Sequence, residues 1–329
     1  MTAISYHNTV KELQGLHLAD VGLAERGPFA RLAWFALLEQ AGAAPRVACA
    51  SDASGTICLL LHNGPHGLEP LSNWYALTWG PLASPGADPC LLDELAMSLA
   101  PRGKVTLAKL AAADADALEA AFRKTGWVVR REVCDTNHYL PVAGRSFIEY
   151  LATRPGPLRT TLKRKAKKVE VRLSHAFSAD DWAAYEAIYA ASWKPAEGDP
   201  ALLRRFAKAE SALGHYLFGM ALADGEPVAA QFWTVEQGTA YIHKLAQLPV
   251  ADKLSPGTTL TAALIEQVID FHRVSEVDFG TGNDGYKADW MEAVRPRYRL
   301  TCLRPAAPQN WPQLAKWAIR SLASPRNAD

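Results

Sequence analysis

The chain has 329 residues, of which 49% are hydrophobic and 21% charged, and its net charge at neutral pH is +1. This length suits two domains, and this composition excludes a disordered chain. A net charge so close to zero argues against DNA or an anionic membrane surface as the main partner and favours a small molecule or a peptide.

The cysteines and the apolar segments bear on the compartment. The five cysteines are odd in number and include no CxxC pair, so we expect most of them to be buried thiols in a reducing environment. No signal-peptide segment opens the chain, and no apolar run is long enough to span a membrane. The sequence thus predicts a cytoplasmic protein with no membrane span. It identifies no metal ligands, and it leaves the oligomeric state open.

The two halves of the chain show the same order of elements. In the first half, helices are predicted at 28–42, 88–99 and 115–124, and strands at 46–61 (a hairpin), 75–79, 104–110 and 127–140. In the second, helices at 181–193 and 200–213 precede strands at 216–223, 227–235 and 241–248. A basic segment at 147–170 joins the halves. It could form a nucleic-acid or phosphate patch through Lys163, Arg164, Lys165, Lys167 and Lys168, but without interleaved aromatic residues a solvated helix is the favoured interpretation. This order predicts a structural repeat of domain length.

The stretch from residue 241 to 290 has the clearest local pattern. A strand at 241–248 precedes a helix that begins at Ser255-Pro256-Gly257, with Ser255 as the N-cap and Pro256 at the first helical position. The predicted buried stripe of this helix is Leu260, Ala263, Leu264, Val268 and Phe271. A second strand follows at 276–279. A helix of this length predicts that the two strands are parallel, with the helix N-terminus beside the end of the first strand.

This helix N-terminus is a candidate anion site. The free N–H groups of Gly257, Thr258 and Thr259, the positive end of the helix dipole and nearby Lys253 suit a diphosphate. The alternative is an ordinary capped crossover helix. The first half carries a matching Ser-Pro-Gly at 84–86, but Asp88 there would repel a phosphate, so the second half is the predicted donor site.

Two motif matches close to this helix fail in context. Residues 280–285 fit GxGxxG, but no long helix and no further strand with an acidic end follow them. Residues 278–280 spell the kinase DFG triplet, but the chain has no HRD-type loop. We interpret both as chance matches.

Five features, taken in order, resemble the FemAB/CelD-type acetyltransferase family of the GNAT superfamily. They are Trp193, the segment 225–229 (GEPVA), Tyr241-Ile-His-Lys, the segment 254–258 (LSPGT) and the segment 278–287 (DFGTGNDGYK). The resemblance covers about residues 160 to 305. It implies an α/β (α+β) fold of tandem GNAT-like acyltransferase domains, each a twisted mixed sheet flanked by helices. The expected limits are 1–146 for a degenerate N-terminal copy, 147–305 for the acyltransferase domain and 306–329 for a tail helix.

The resemblance implies an N-acyltransferase that uses acetyl-CoA or a longer acyl-CoA. The positions it assigns to the donor are Leu245, Ala246, Gln247, Leu248, Lys253, Ser255, Gly257, Thr258 and Thr259. The chain departs from the superfamily pattern here, since KLSPGT (253–258) replaces the usual Q/R-x-x-G-x-G/A loop. Fem-type relatives use aminoacyl-tRNA instead, so the alternatives are a tRNA-dependent transferase and a non-catalytic GNAT-like binding module.

The implied reaction is attack of an amine on a thioester, which needs a base, an oxyanion site and a proton for the thiolate. His243 is the candidate base, although a strand histidine also suits a core, and Asp278 is a second candidate that could instead cap the glycine turn. Tyr286 is the candidate acid. Backbone N–H groups near Ala246 would hold the oxyanion. Trp193 and Lys287 are candidate contacts for the amine acceptor, which the sequence does not identify.

Overall fold

The computed structural model describes residues 1–16, 18, 27–65, 67–282 and 284–323. The strands are β1 (Ala3–His7), β2 (Pro45–Ser51), β3 (Thr56–Gly64), β4 (Gly67–Pro70), β5 (Leu82–Ala83), β6 (Lys104–Leu110), β7 (Val128–Pro141), β8 (Glu170–Ser174), β9 (Tyr216–Ala223), β10 (Glu226–Glu236), β11 (Thr239–Gln247), β12 (Glu276–Thr281) and β13 (Ala293–Leu303). The helices are α1 (Leu32–Gln40), α2 (Leu91–Ser98), α3 (Ala112–Lys124), α4 (Phe147–Ala152), α5 (Gly156–Lys165), α6 (Ala179–Ala191), α7 (Pro200–Ala212), α8 (Pro256–Glu266), α9 (Lys287–Trp290) and α10 (Trp311–Ala323).

The chain forms two compact units. Unit 1 comprises Met1–Asp135 and Pro296–Asp329, and unit 2 comprises Thr136–Arg295. These limits differ from the expected 1–146, 147–305 and 306–329, because the chain passes between the units inside β7 and β13 and not in loops. The later part of β13 pairs with β6, so α10, which follows it, is counted with unit 1.

In unit 1 the strand order is β1–β2–β3–β4–β6–β13. The predicted hairpin at 46–61 is confirmed as β2 and β3. The predicted strand at 75–79 is wrong: this segment is irregular. Trp79 is buried there, and its indole N–H donates to the Leu60 carbonyl at 3.1 Å.

Two of the cysteines do not match the expectation of free thiols. Cys49 on β2 lies directly opposite Cys58 on β3, both are fully buried, and their sulfur atoms form a disulfide. The expectation overlooked that neighbouring antiparallel strands bring cysteines together without any CxxC spacing. Cys90, Cys134 and Cys302 are free.

In unit 2 the strand order is β7–β12–β11–β10–β9–β8, with β11 and β12 parallel as predicted and the other neighbours antiparallel. Helices cover both faces. Phe218 on β9 contacts Trp182 of α6, whereas Gly219, which points to the opposite face, lies against α8. A Cβ at Gly219 would be 2.8 Å from Leu260, so glycine permits this close approach of α8. Helix-flanked mixed sheets confirm the predicted α/β class.

Helix α8 buries the predicted stripe except at its end. Leu260, Leu264 and Val268 are fully buried, and Ala263 is partly buried, but Phe271 is 72% exposed. The reason is that residues Gln267–Phe271 form a π-helical turn, whose wider spacing rotates the following side chains out of the α-helical phase. In the part of the chain that the structure describes, no helix is both long and apolar enough to cross a membrane.

Leu264→Ala and Phe271→Ala form a matched pair that tests whether the π-helical turn removes Phe271 from the buried face of the helix. Leu264→Ala should lower the free energy of unfolding by about 2–5 kcal/mol, because it leaves a cavity in the core. Phe271→Ala should lower it by about 0.5 kcal/mol or less, because the ring contributes little buried area. Denaturant titration measures both. Equal losses would show that Phe271 is part of the core.

Candidate functional site

The two parallel strands of unit 2 separate towards their C-terminal ends. The β11–β12 ladder covers only Thr239–Tyr241 and Glu276–Asp278. Beyond it, β11 stays paired with β10 as far as Gln247, and β12 turns to β7, where Thr281 lies opposite Asn137. The strands therefore open a wedge. An edge of separated strands can hydrogen-bond an extended ligand through the backbone.

A β-bulge lies on the β11 side of the wedge. Phe232 of β10 is opposite Lys244, and the next residue, Trp233, is opposite Ile242, so His243 is the additional residue. The bulge directs the two neighbouring side chains of His243 and Lys244 towards α6, α7 and their connecting loop. Bulges often redirect side chains next to active sites.

The start of α8 is built differently from the expectation. Ser255 is at the N-cap position and Pro256 at the first helical position, but Ser255 has a left-handed backbone (φ 51°), and its side chain does not cap the helix. Its hydroxyl instead accepts a hydrogen bond from the Lys165 ammonium of α5 at 2.9 Å. A cation from a distant helix thus reaches this helix N-terminus.

The backbone donors at the start of α8 are partly occupied. The Gly257 N–H donates to the Gln247 side-chain oxygen at 3.1 Å, and the Thr259 N–H donates to the Ser255 carbonyl at 3.2 Å. The expectation that these two N–H groups are free is therefore wrong. The Gln247 amide is also held by Asp252 at 2.7 Å. The Thr259 hydroxyl oxygen is buried and has no hydrogen-bond partner among the described residues.

The remaining predicted donor positions lie around the same end of β11. Ala246 is buried, Leu245 and Leu248 pack partly against the core, Thr258 is half-buried and Lys253 is exposed. Sequence reasoning named Lys165 only as one member of a possible phosphate patch, favoured a solvated helix there, and did not place Lys165 at the start of α8. No local pattern distinguishes Lys165 from its basic neighbours, because its contact is with a residue far along the chain.

Asp278 is held in a network at the end of β12. Its Oδ1 accepts hydrogen bonds from the Asn137 side chain and from the Gly280 N–H, both at 2.7 Å, and its Oδ2 pairs with Arg295 at 2.9 Å. Arg295 also binds both oxygens of Glu276. These contacts fix the glycine turn.

His243 packs in an aromatic cluster. Its ring centroid is 5.1 Å from those of Phe206 and Phe232, and its Nε2 is 2.8 Å from the Thr234 hydroxyl. The structure therefore places this candidate base among core side chains of α7 and β10.

Tyr286 and Lys287 follow the glycine turn. Tyr286 stacks edge-on against Phe279, and burial, reinforced by the charge of Asp284, raises the pKa of its hydroxyl to about 12. Its phenol therefore stays protonated at neutral pH. Lys287 is 5% exposed and donates to the carbonyls of Thr281 and Gly282, so it braces the turn.

A cavity of about 600 Å³ lies beside α6, α7 and the loop that connects them; we refer to it as the α6–α7 cavity. Its walls carry aromatic rings and both signs of charge, contributed by Trp182, Tyr185, Glu186, Tyr189, Lys194 and Glu197. Trp193 in the same loop is 70% exposed, and the Lys194 ammonium lies 5.9 Å from the centre of its ring.

One group of side chains has the composition of a metal site. The ligand atoms of Glu210, His215 and Glu236 lie within 4.8 Å of one another. His215 Nδ1 is 3.2 Å from a Glu210 oxygen, so these side chains also bind each other. Glu236 lies at the end of β10 that is opposite Thr239, and this group is thus at the far end of the β10–β11 ladder from the wedge.

Comparison with known proteins agrees with this geometry. Residues 156–288 match the family described as "Acetyltransferase (GNAT) domain". A search of curated proteins finds no match to the chain.

Solved structures share the fold at low sequence identity. L-PGS from Bacillus licheniformis matches with a TM-score of 0.58 and 11% identity over 88% of this chain and 90% of that one. FemX matches with a TM-score of 0.61 and 9% identity over 95% of this chain and 99% of the FemX chain. A tandem GNAT protein from the clavulanic acid biosynthesis pathway matches with a TM-score of 0.52 and 11% identity over 91% and 98%.

These structural neighbours confirm the predicted helix-flanked, tandem GNAT-like fold class. The family match covers the wedge, the bulge and the start of α8. The predicted resemblance to FemAB-like acetyltransferases of the GNAT superfamily is thus confirmed over residues 156–288, which make up most of unit 2.

Proposed function

We propose that this protein is an N-acyltransferase that moves an acetyl or longer acyl group from acyl-CoA to an amine, with the donor bound by unit 2. The observation that carries the proposal is the wedge between β11 and β12, which leads to the start of α8. The strand edges suit the amide groups of a pantetheine arm, and the helix N-terminus suits its diphosphate.

The residues at the start of α8 fit such a donor. The Lys165 ammonium is within hydrogen-bond distance of the Ser255 hydroxyl, so a cation and a helix N-terminus coincide. Gly257 has no side chain, and a Cβ there would be 2.4 Å from the end of the Gln247 side chain. A diphosphate approaching this point would take over the Gly257 N–H from Gln247, whose side chain is flexible.

In the proposed reaction the amine nitrogen forms a bond to the thioester carbonyl carbon, and the carbon–sulfur bond then breaks. We propose that His243 or Asp278 takes the amine proton and that Tyr286 protonates the leaving thiolate. Backbone N–H groups near Ala246 stabilise the oxyanion. Lys287 acts by holding the turn that carries Tyr286. We assign unit 1, including the expected degenerate copy, no part in donor binding.

One observation favours the alternative donor, an aminoacyl-tRNA. Lys163, Arg164, Lys167 and Lys168 are exposed beside Lys165, and such a surface can bind nucleic acid phosphates. Thermal unfolding separates the candidates, because a ligand of the native state raises the melting temperature. We expect acetyl-CoA or a longer acyl-CoA to raise it. A rise with charged tRNA alone would favour the alternative, and binding without turnover would favour a non-catalytic module.

Gly257→Asp should abolish the stabilisation by acyl-CoA, because it adds bulk and negative charge where the diphosphate must approach. Gly156→Asp is the matched control. It makes the same change at the start of α5, where a Cβ meets nothing within 4 Å. Gly257→Ala separates bulk from charge. The donor site is misplaced if Gly257→Asp still shows the full shift in melting temperature with acyl-CoA.

Lys165→Met should weaken acyl-CoA binding about tenfold, or about 1.4 kcal/mol, because it removes the cation beside the diphosphate site. Lys167→Met removes an exposed lysine of the same basic segment and should leave the affinity within about twofold of wild type. Isothermal titration calorimetry measures both. Equal losses would indicate a diffuse electrostatic effect of the segment.

Tyr286→Phe and His243→Gln should each lower kcat by roughly 10²-fold or more if these residues transfer protons. Acyl-CoA affinity and melting temperature should stay close to wild type. Tyr6→Phe, which removes an exposed hydroxyl in unit 1, is the control. Variants that melt early but keep their specific activity would identify both residues as core side chains.

A further inference from the structure

Lys194 is an uncompensated cation in the α6–α7 cavity. The positive charge of Lys244, which acts on Lys194, is neutralised by Glu197 at 2.7 Å. The second Glu197 oxygen accepts a hydrogen bond from the Tyr185 hydroxyl at 3.3 Å. No ion pair involves Lys194 among the described residues, and its ammonium lies 5.9 Å from the centre of the Trp193 ring.

The charges around Lys194 leave a positive surplus. Those that act on its ammonium are Lys244, Lys287, Glu197 and Asp284. The three lysines outnumber the two carboxylates. Burial, followed by the charge of Lys244, therefore lowers the pKa of Lys194 to about 8. A bound anion would offset the free-energy cost of burying the positive charge and the repulsion from the other lysines.

These neighbours also locate Lys194 relative to the wedge. Lys244 belongs to the bulge region of β11, and Asp284 and Lys287 follow the end of β12. Lys244 pairs with Glu197 at 2.7 Å and lies 5.4 Å from the centre of the Tyr189 ring, and both partners line the cavity. A ligand in the cavity is thus beside β11, one of the two strands between which the acyl donor is proposed to lie.

The α6 side of the cavity has a different character. Trp182, Tyr185 and Tyr189 of α6 provide aromatic surface. Glu186 accepts a hydrogen bond from the Trp182 indole at 2.9 Å, and no cation pairs with it among the described residues. A dianionic phosphate is disfavoured beside this carboxylate, whereas a ligand that carries a positive charge as well as a negative one is favoured.

We propose that the α6–α7 cavity binds the acceptor, that the acceptor is an amine bearing a carboxylate, as an amino acid does, and that Lys194 pairs with this carboxylate. The inference rests on the proposed function and specifies its acceptor class. An α-amine is next to its own carboxylate, so pairing with Lys194 holds the nucleophile beside the wedge. The cavity volume lies within the usual range for small-molecule sites.

The pairing predicts a pH dependence. Only protonated Lys194 pairs with a carboxylate, so affinity is complete below pH 8 and falls as the pH rises above it. The other titratable groups around Lys194 are Tyr185, Glu186, Tyr189, Glu197, Lys244, Asp284 and Lys287. Burial raises the pKa of Tyr189 and lowers that of Lys244. Lys194→Arg distinguishes Lys194 from these groups, since arginine keeps its charge at high pH.

The test measures binding of the twenty L-amino acids and of their amides by calorimetry, without an acyl donor. At least one amino acid should bind, and its amide should bind at least tenfold more weakly. Lys194→Met should cause a similar loss. Lys194→Arg should bind within about threefold of wild type at about pH 7 and should weaken less than wild type does at about pH 9. Lys208→Met, which alters an exposed lysine of α7, should have no effect.

Equal binding of amides and acids, or no binding of any amino acid, would overturn the inference. So would a Lys194→Met variant that binds the amino acid as tightly as wild type does. These results are separable from the proposed function. An amino acid that binds but is never acylated from acyl-CoA contradicts the transferase, whereas acylation of amines that lack a carboxylate contradicts the acceptor class alone.

Discussion

The site in unit 2 depends on two parallel strands that pair over only three residues each. Each strand is held on its outer side by a different neighbour, β11 by β10 and β12 by β7. The wedge is therefore stable without a ligand between the strands. The bulge at His243 belongs to the same arrangement, because it lets β11 remain paired with β10 while two successive side chains point to one face.

Several polar side chains near the wedge serve to maintain its shape. Asp278, Asn137 and Arg295 form a buried network, and the cost of burying its carboxylate is offset by three donors. Lys287 braces the glycine turn through backbone carbonyls. Polar residues that look chemically reactive in sequence can thus be positioning groups. Tyr286 at the turn and Lys194 in the α6–α7 cavity are among the residues proposed to contact a ligand.

The start of α8 shows how a helix terminus gains specificity. A dipole alone attracts any anion weakly, but here Lys165 adds a cation and Gln247 covers the Gly257 N–H with a movable side chain. The exposed basic residues that continue from Lys165 extend the positive surface beyond this point. The contributions of the half-buried Lys165 and of its exposed basic neighbours to donor affinity decide between acyl-CoA and aminoacyl-tRNA.

Local patterns in the sequence determined the parallel strand–helix–strand unit, the start of α8 at Pro256 and the α/β class, because these depend on periodicity and on residues adjacent in the chain. Only the tertiary structure decided the partners of these elements. Cys49 meets Cys58 because β2 and β3 are in register, Phe271 is exposed because a π-helical turn changes the phase, and Lys165 reaches Ser255 because α5 packs on α8. The α6–α7 cavity likewise joins residues of two helices and a loop. Contacts of this kind arise from packing between segments distant in the chain, and no short-range pattern encodes them.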